Sequence, residues 1–211
     1  MKAQRPVEQQ ASLFGNEPVA ASIPGLVYEP LFLGADEEQH VLQIVQSLAL
    51  HAARYKQYLA RRRVVSFGGS YDFDTQRLET AQALDPRLHP LRNRVAAWLG
   101  VPAEALVHAL VAEYAPGTPL GWHRDVPDFE TIVGVSLGGH ARLRFRPYPD
   151  IPATRRVVQL EVAPRSIYQM AGTARWGWQH SVAPTLEQRW SITFRTRRHR
   201  FTQVQQQSSS A

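Results

Sequence analysis

The chain has 211 residues, of which 44% are hydrophobic, a size and composition typical of one globular domain with its own core. It contains no cysteine, which excludes disulfide bonds and thiolate metal ligands, so any bound metal must be held by nitrogen and oxygen atoms. The formal net charge of +6 indicates a polyanionic partner without specifying a function.

The two ends of the chain are predicted to lie outside the folded domain. Residues 1–22 mix Gln, Pro, Glu and Ala around one apolar pair and are predicted to form a flexible arm. Residues 202–211 are rich in Gln and Ser and are predicted to be disordered. The start of the chain lacks the apolar region of a signal peptide, and no run approaches a membrane span. We therefore expect a cytoplasmic, monomeric protein without membrane contact, with one domain over residues 23–201.

The first part of this domain, residues 23–104, is predicted to contain two helices. A short strand over residues 28–32 precedes a helix with Asp36 as its N-cap. A second helix is predicted to begin at Pro90, a favoured first-turn position, and to end at Gly100. We expect both helices to cover a sheet.

A segment between these helices has the composition of a substrate lid. Residues 63–73 alternate apolar and special residues and predict two short strands around the pair Gly68-Gly69. Aromatic side chains there can stack on bases while cations follow phosphates. An edge hairpin whose aromatic side chains belong to the core explains the pattern equally well. The aromatic candidates are Phe67, Tyr71 and Phe73, and the cations are Arg54, Lys56, Arg61, Arg62 and Arg63.

The second part of the domain, residues 105–201, changes to short apolar stretches separated by Gly, Pro and Asp. This pattern predicts eight strands in a sandwich or jelly roll, with Gly138-Gly139 joining two of them as a tight hairpin. The predicted strands are residues 106–114, 120–124, 131–137, 141–146, 156–162, 166–170, 177–182 and 190–196.

Three residues of this part have the chemistry of a metal site. His123 and Asp125 occupy alternate positions of one extended segment, so both side chains are expected to point to the same face. His180 offers a third ligand. Two histidines and one carboxylate form the facial set that binds non-haem Fe(II) and leaves positions open for another ligand and O₂.

The last predicted strand alternates strictly between polar and apolar residues. Two arginines on its polar face indicate a small dianionic ligand, because a guanidinium binds a carboxylate through two parallel hydrogen bonds. The polar face carries Arg189, Ser191, Thr193 and Arg195, and the apolar face carries Trp190, Ile192 and Phe194.

Four elements in this order resemble the AlkB family of Fe(II)- and 2-oxoglutarate-dependent dioxygenases: Y-A-P-G at 114–117, H-x-D at 123–125, the distal His180, and R-x-S-x-T-F-R at 189–195. The resemblance implies a mainly β (α+β) fold, a double-stranded β-helix (jelly roll) with N-terminal helices packed on its outside. It also implies that the protein uses Fe(II), 2-oxoglutarate and O₂. The metal ligands and catalytic set would then be His123, Asp125 and His180.

The same resemblance implies roles for residues around the metal. Arg189 would bind the distal carboxylate of 2-oxoglutarate, Arg195 would lie nearer its metal-bound end, and Tyr114 would donate its hydroxyl to the same molecule. A solvated charge at a strand end would also explain Arg195. The family often has Asn at the positions of Ala112 and Ser191, although Ser191 can still donate one hydrogen bond to the cosubstrate.

For the substrate, the resemblance implies oxidative demethylation of alkylated bases in DNA or RNA, with release of formaldehyde, succinate and CO₂. Trp122, Asp128 and Trp178 are further candidates for binding the base, and core filling explains Trp178 equally well. Two alternatives stay open. One is a 2-oxoglutarate-dependent hydroxylase of a protein or a small molecule, and the other is a non-catalytic nucleic-acid-binding jelly roll.

Overall fold

A computed structural model describes residues 22–55, 58–68, 70–72, 77–79, 82–151 and 156–198. Nearly half of these residues belong to antiparallel strands, and three α-helices accompany them. The strands are β1 (Leu26–Glu29), β2 (His51–Tyr55), β3 (Tyr58–Phe67), β4 (Ser70–Asp72), β5 (Arg77–Glu79), β6 (Leu106–Tyr114), β7 (Leu120–His123), β8 (Phe129–Gly138), β9 (Ala141–Pro147), β10 (Val158–Val162), β11 (Ile167–Met170), β12 (Trp178–Val182) and β13 (Arg189–Arg197). The helices are α1 (Ala35–Gln46), α2 (His89–Leu99) and α3 (Gly172–Trp176).

Two sheets form the body of the domain. The major sheet has the strand order β1-β11-β8-β13-β6-β3-β2, and the minor sheet has the order β10-β9-β12-β7. A separate ribbon consists of β4 and β5. From β6 to β13 the chain passes back and forth between the two main sheets, and only β9 and β10 are consecutive strands of the same sheet. The predicted double-stranded β-helix is therefore confirmed.

The alternation of β13 explains how the layers pack. Its apolar residues Trp190, Ile192 and Phe194 point outwards and pack against α1 and α2 in one hydrophobic cluster. Its other face points towards the minor sheet, where a second cluster joins residues such as Phe145 and Met170 from opposite sheets. The expected position of the N-terminal helices, on the outside of the β-structure, is therefore confirmed.

The eight strands predicted after residue 105 are all present, with ends within two residues of the prediction. The predicted hairpin at Gly138-Gly139 is wrong, because β8 belongs to the major sheet and β9 to the minor sheet. The chain crosses between sheets here. Gly138 adopts a φ of +79°, and a Cβ added to Gly139 would lie 2.7 Å from Cβ of Glu187. The pair is needed for this close crossing and not for a two-residue turn.

The region before residue 105 departs further from the prediction. β3 pairs with β2 and β6, whereas β4 pairs with β5, so the expected hairpin of residues 63–73 does not form around Gly68. β2 and β3 extend the major sheet, although their Arg-rich sequence lacks the apolar alternation of a predictable strand.

Smaller corrections concern the helix and strand ends. The N-cap of α1 is Gly34 and not Asp36, and the Gly34 N–H donates to Oε2 of Glu37 at 2.7 Å. The first strand ends at Glu29 and not at residue 32, because the chain turns at Leu31 with a φ of +56°. The end of α2 at Gly100, with a φ of +69°, is as predicted. The short helix α3 was not predicted.

Some predictions lie outside the described residues, namely the arm over residues 1–21, the tail over residues 202–211, and Phe73. Among the described residues, no helix is long and apolar enough to cross a membrane.

Candidate active site

The three candidate metal ligands converge on the inner face of the minor sheet. β7 and β12 are neighbours, and His123 and His180 are directly paired across them. Their ring centroids lie 4.2 Å apart. Asp125 follows β7 and brings a carboxylate to the same point, so that one donor atom from each of the three residues lies within 4.8 Å of the others. We call these three residues, together with Arg195, the metal corner.

Both imidazoles are in the neutral form that can coordinate a metal. Nδ1 of His123 lies 2.9 Å from the carbonyl oxygen of Gly121, which can only accept, so Nδ1 carries the proton and Nε2 is free. Burial lowers the pKa of His123 and, together with the charge of His123, lowers the pKa of His180 to about 3. Neutral imidazoles at neutral pH coordinate a metal without first losing a proton.

Arg195 orients the carboxylate of the metal corner. Its Nε and Nη2 donate to Oδ1 of Asp125 at 3.1 and 2.8 Å, whereas Oδ2 lies 3.5 Å from Nε2 of His180. Burial alone would raise the pKa of Asp125, but Arg195 and the imidazoles outweigh it and hold that pKa well below its usual range. Nη1 of Arg195 donates to Nδ1 of His108 at 3.0 Å. With 7% of its surface exposed, Arg195 is not a solvated strand-end charge.

A residue that the sequence did not reveal holds the backbone beside the metal corner. Arg175, in α3, is 3% exposed, and its Nη2 donates to the carbonyls of Asp125, Val126 and Phe129 at 3.1, 2.7 and 3.1 Å. It thereby fixes the loop that follows β7. In the sequence, Arg175 is linked to the site only by lying five residues before His180. Such a spacing does not predict a role in the site.

A second group of polar residues lies on the inner face of the major sheet. Arg189 is 1% exposed and pairs with Tyr114 across β13 and β6, with its guanidinium carbon 5.2 Å from the centre of the Tyr114 ring. Its Nε donates to the hydroxyl of Ser136 at 3.0 Å. Among the described residues, no carboxylate forms an ion pair with Arg189. We call Arg189, Tyr114, Ser136 and Tyr168 the anion corner.

Tyr168 completes the anion corner, and sequence reasoning missed it. Its ring crosses Gly134, where an added Cβ would lie 2.2 Å from Cζ of the tyrosine, so only glycine leaves room for it. Burial raises the pKa of Tyr168 to about 12, against the opposing charge of Arg189. The hydroxyl therefore stays protonated at neutral pH and can donate to an anion.

The two positions at which the sequence departs from the family lie side by side. Ser191 pairs with Ala112 on one side and with Ser136 on the other. The row of small side chains borders the pair formed by Arg189 and Tyr114. Small side chains thus occupy the two positions at which the family often has asparagine.

The tryptophans predicted to bind substrate are placed differently from each other. Trp122 lies on the face of β7 opposite to His123, because side chains alternate along a strand. There the guanidinium carbons of Arg144 and Arg146 lie 5.3 and 4.6 Å from the centre of its ring. Trp122 therefore lies outside the space between the sheets, away from the substrate slot that it was expected to line. Trp178 is half-buried and packs against the core between the sheets.

The other predicted substrate residues lie away from the metal corner or are only partly described. Phe67 is 4% exposed and packs beneath the helices on the outer face of the major sheet, so the core explanation applies to it. Tyr71 pairs with Leu78 in the β4–β5 ribbon. Asp128 lies in the loop after Asp125, where its carbonyl accepts from the Arg198 N–H at 2.8 Å.

The donor set of the metal corner fits Fe(II). Two neutral imidazoles and one ionised carboxylate, all nitrogen and oxygen donors, form the 2-His-1-carboxylate set of non-haem iron oxygenases. The anion corner fits 2-oxoglutarate, because a buried arginine without a carboxylate partner among the described residues requires an anion from elsewhere.

Comparison with known proteins gives the family. The model of the 2OG-Fe(II) oxygenase superfamily matches residues 34–203, well over half of the chain, so the protein belongs to this superfamily. Its cofactor and cosubstrates are therefore Fe(II), 2-oxoglutarate and O₂, as predicted. Two of the proteins described next carry AlkB-homologue names, which agrees with the resemblance to the AlkB family.

One relative is the alkylated DNA repair protein ALKBH8 homolog of Arabidopsis thaliana, 28% identical over 185 residues, which cover 76% of this chain and 51% of the relative. The chain spans about half the length of the curated relatives that it matches. Among solved structures, OsALKBH1 superposes with a TM-score of 0.67 at 15% identity, covering 82% of this chain and 97% of that chain. A prolyl hydroxylase of Trichoplax adhaerens superposes with a TM-score of 0.57 at 16% identity, covering 82% and 83%. At these identities the structural likeness shows the shared fold.

Proposed function

We propose that the protein demethylates alkylated bases of DNA or RNA by oxidation. The observation that carries the oxidation is the pairing of a metal corner, whose donor atoms lie within 4.8 Å of one another, with a buried arginine that has no carboxylate partner among the described residues. The substrate class is supported by the net charge of +6 and by the relative named as an alkylated DNA repair protein.

The metal corner would bind Fe(II), and the anion corner would bind 2-oxoglutarate. His123, Asp125 and His180 would hold Fe(II), which together with 2-oxoglutarate and O₂ supplies the oxidising chemistry that converts a C–H bond of the substrate into C–OH. Arg195 fixes Oδ1 of Asp125, so that the other carboxylate oxygen faces the imidazoles. Arg175 keeps the loop after β7 in place.

The anion corner would orient 2-oxoglutarate. The free guanidinium nitrogens of Arg189 would bind its distal carboxylate through two parallel hydrogen bonds, as its buried fork geometry favours. The hydroxyls of Tyr114 and Tyr168 would donate to the same molecule. Arg189 and Tyr114 are 1% and 3% exposed, and such burial strengthens each of these charge interactions.

The overall reaction balances without another reactant. A methylated base, O₂ and 2-oxoglutarate give the hydroxymethyl base, succinate and CO₂. The hydroxymethyl group on nitrogen then breaks its C–N bond, and the products are formaldehyde and the unmodified base. One atom of O₂ enters the substrate and the other enters succinate.

Turnover assays on methylated and unmethylated oligonucleotides test this proposal. With Fe(II), 2-oxoglutarate and O₂, the protein should release formaldehyde and succinate in equal amounts from N-methylated DNA or RNA and no formaldehyde from unmethylated controls. Succinate without formaldehyde across DNA and RNA substrates would contradict demethylation and leave hydroxylation of a protein or small molecule. No succinate under any condition would contradict an enzyme and favour a non-catalytic binding protein.

A further inference from the structure

Strand β3 carries three consecutive arginines that point to different sides of the major sheet. Arg63 faces outwards, where Nη1 donates to Oε2 of Glu113 at 2.9 Å and the arginine side chain is 53% exposed. Arg61 is also exposed. Arg62 lies between them and therefore shares the inner face with Val64, which packs against Ala112 beside the anion corner. Of this basic run, Arg62 is the arginine directed towards the pocket.

Arg62 lies on the part of β3 that faces β7, the strand of His123. Ala60 and Val64, the neighbours of Arg62 on the inner face of β3, share a hydrophobic cluster with Leu120 of β7. The Nε of Arg62 is shielded from solvent and has no hydrogen-bond partner among the described residues. No carboxylate of these residues forms an ion pair with it either. A buried donor without an acceptor is unfavourable, so the side chain is suited to an acceptor that comes with a ligand.

The charges of the pocket indicate which ligand this is. Four arginines, namely Arg62, Arg175, Arg189 and Arg195, lie at or between the two corners, and the described carboxylates that act on them are Asp125 and Glu130. Fe(II) and the dianion of 2-oxoglutarate neutralise each other, so their binding leaves this positive excess unchanged. The excess falls only when the substrate itself brings negative charge.

Position separates Arg62 from the cosubstrate. β6 lies between β13, which carries Arg189, and β3, which carries Arg62. The two backbones are therefore two strand spacings apart, roughly 9–10 Å. Arg189 is placed for the distal carboxylate of 2-oxoglutarate, and Arg62 for a different anion on the His123 side of the pocket.

We propose that Arg62 binds a backbone phosphate that flanks the methylated nucleotide and so positions its base at the metal corner. This inference rests on the proposed function, because the anion is taken to be a nucleic-acid phosphate. Arg62 is a positioning residue: it touches the substrate away from the reacting carbon. Its planar fork suits two phosphate oxygens, which a lysine cannot match.

The chain supplies its own matched control, because Arg61 and Arg62 are neighbours of equal charge on opposite faces of β3. The probe is a fluorescent single-stranded oligonucleotide with one N1-methyladenine. We expect Arg62→Gln to weaken its binding, measured by fluorescence anisotropy, about tenfold or more, and Arg61→Gln to weaken it less than about threefold. The KM for 2-oxoglutarate should stay within about twofold of wild type in both variants, and Arg62→Lys should recover only part of the affinity.

A change in the probe tests the same contact without changing the protein. Neutral methylphosphonates at the two linkages flanking N1-methyladenine should weaken binding to the wild-type protein by a similar factor and should not weaken binding to Arg62→Gln further. Three results would each overturn the role of Arg62. The first is an equal loss of probe affinity in Arg61→Gln and Arg62→Gln. The second is a further loss of affinity when Arg62→Gln binds the methylphosphonate probe, and the third is a raised KM for 2-oxoglutarate in Arg62→Gln.

The proposed function is tested separately from the role of Arg62. If the wild-type protein binds the probe and demethylates it, the proposed function stands whatever Arg62 does. If it binds no oligonucleotide, both proposals fail together.

Discussion

The metal corner and the anion corner line the same pocket, but the protein satisfies their charges to different degrees. In the metal corner, Asp125 already receives two hydrogen bonds from Arg195. In the anion corner, Arg189 is 1% exposed, yet its Nε bonds only to the neutral hydroxyl of Ser136 and no described carboxylate pairs with it. The negative charge of Asp125 is therefore paired within the protein, whereas the positive charge of Arg189 is paired only when an anion binds.

This difference assigns the reaction to the metal corner and the affinity for 2-oxoglutarate to the anion corner. A buried guanidinium without a counter-ion is unfavourable, and a site that keeps one gains much of its ligand affinity from neutralising it. Changes in the metal corner should therefore remove the reaction itself. Changes in the anion corner should mainly raise the concentration of 2-oxoglutarate that the enzyme needs.

The largest effect is expected from the imidazoles. His123→Ala or His180→Ala removes one of three ligands, so Fe(II)-dependent formation of succinate should fall to the level measured without iron, and binding of Mn(II) as a probe ion should weaken. His140→Ala is the matched control, since His140 is 67% exposed and lies beside Glu187 away from the site. Activity equal to wild type in either ligand variant would contradict the assignment of the metal corner.

A smaller effect, confined to one reactant, is expected for Arg189. Arg189→Ala should raise the KM for 2-oxoglutarate about 100-fold, because truncating one side of a buried charge pair costs roughly 3 kcal/mol. The KM for the methylated substrate should change far less. Arg142→Ala provides the comparison, because Arg142 pairs with Glu161 on exposed side chains. Equal rises for both reactants would remove the distinction between the corners.

The ligands of the metal corner could be predicted from the sequence because they depend on a local rule. The period of two places His123 and Asp125 on one face, and His180 supplies the second imidazole of a set with two histidines and one carboxylate. The same rule places Trp122 on the opposite face, which the structure confirms and the substrate prediction overlooked. The error lay in treating closeness in sequence to a ligand as closeness in space.

Residues that act through backbone contacts or tertiary packing could not be predicted in this way. Arg175 binds three carbonyls of a loop nearly fifty residues earlier, and carbonyls are the same in every residue, so no sequence pattern indicates the pairing. Tyr168 reaches the anion corner only because Gly134 lies opposite it in β8. The basic run of β3 was visible, but which of its arginines faces inwards depends on a register that its sequence does not specify.

The smallest effect is expected from Ser191, which tests whether the anion corner depends on one charge or on many polar contacts. Ser191 lies between Ala112 and Ser136, one row from Arg189, and can offer 2-oxoglutarate a single neutral hydrogen bond. Ser191→Ala should raise the KM for 2-oxoglutarate only about fivefold, the equivalent of roughly 1 kcal/mol. Steady-state titration of 2-oxoglutarate with both variants measures the ratio directly. A loss in Ser191→Ala as large as in Arg189→Ala would mean that the polar row, and not the buried guanidinium, provides the affinity.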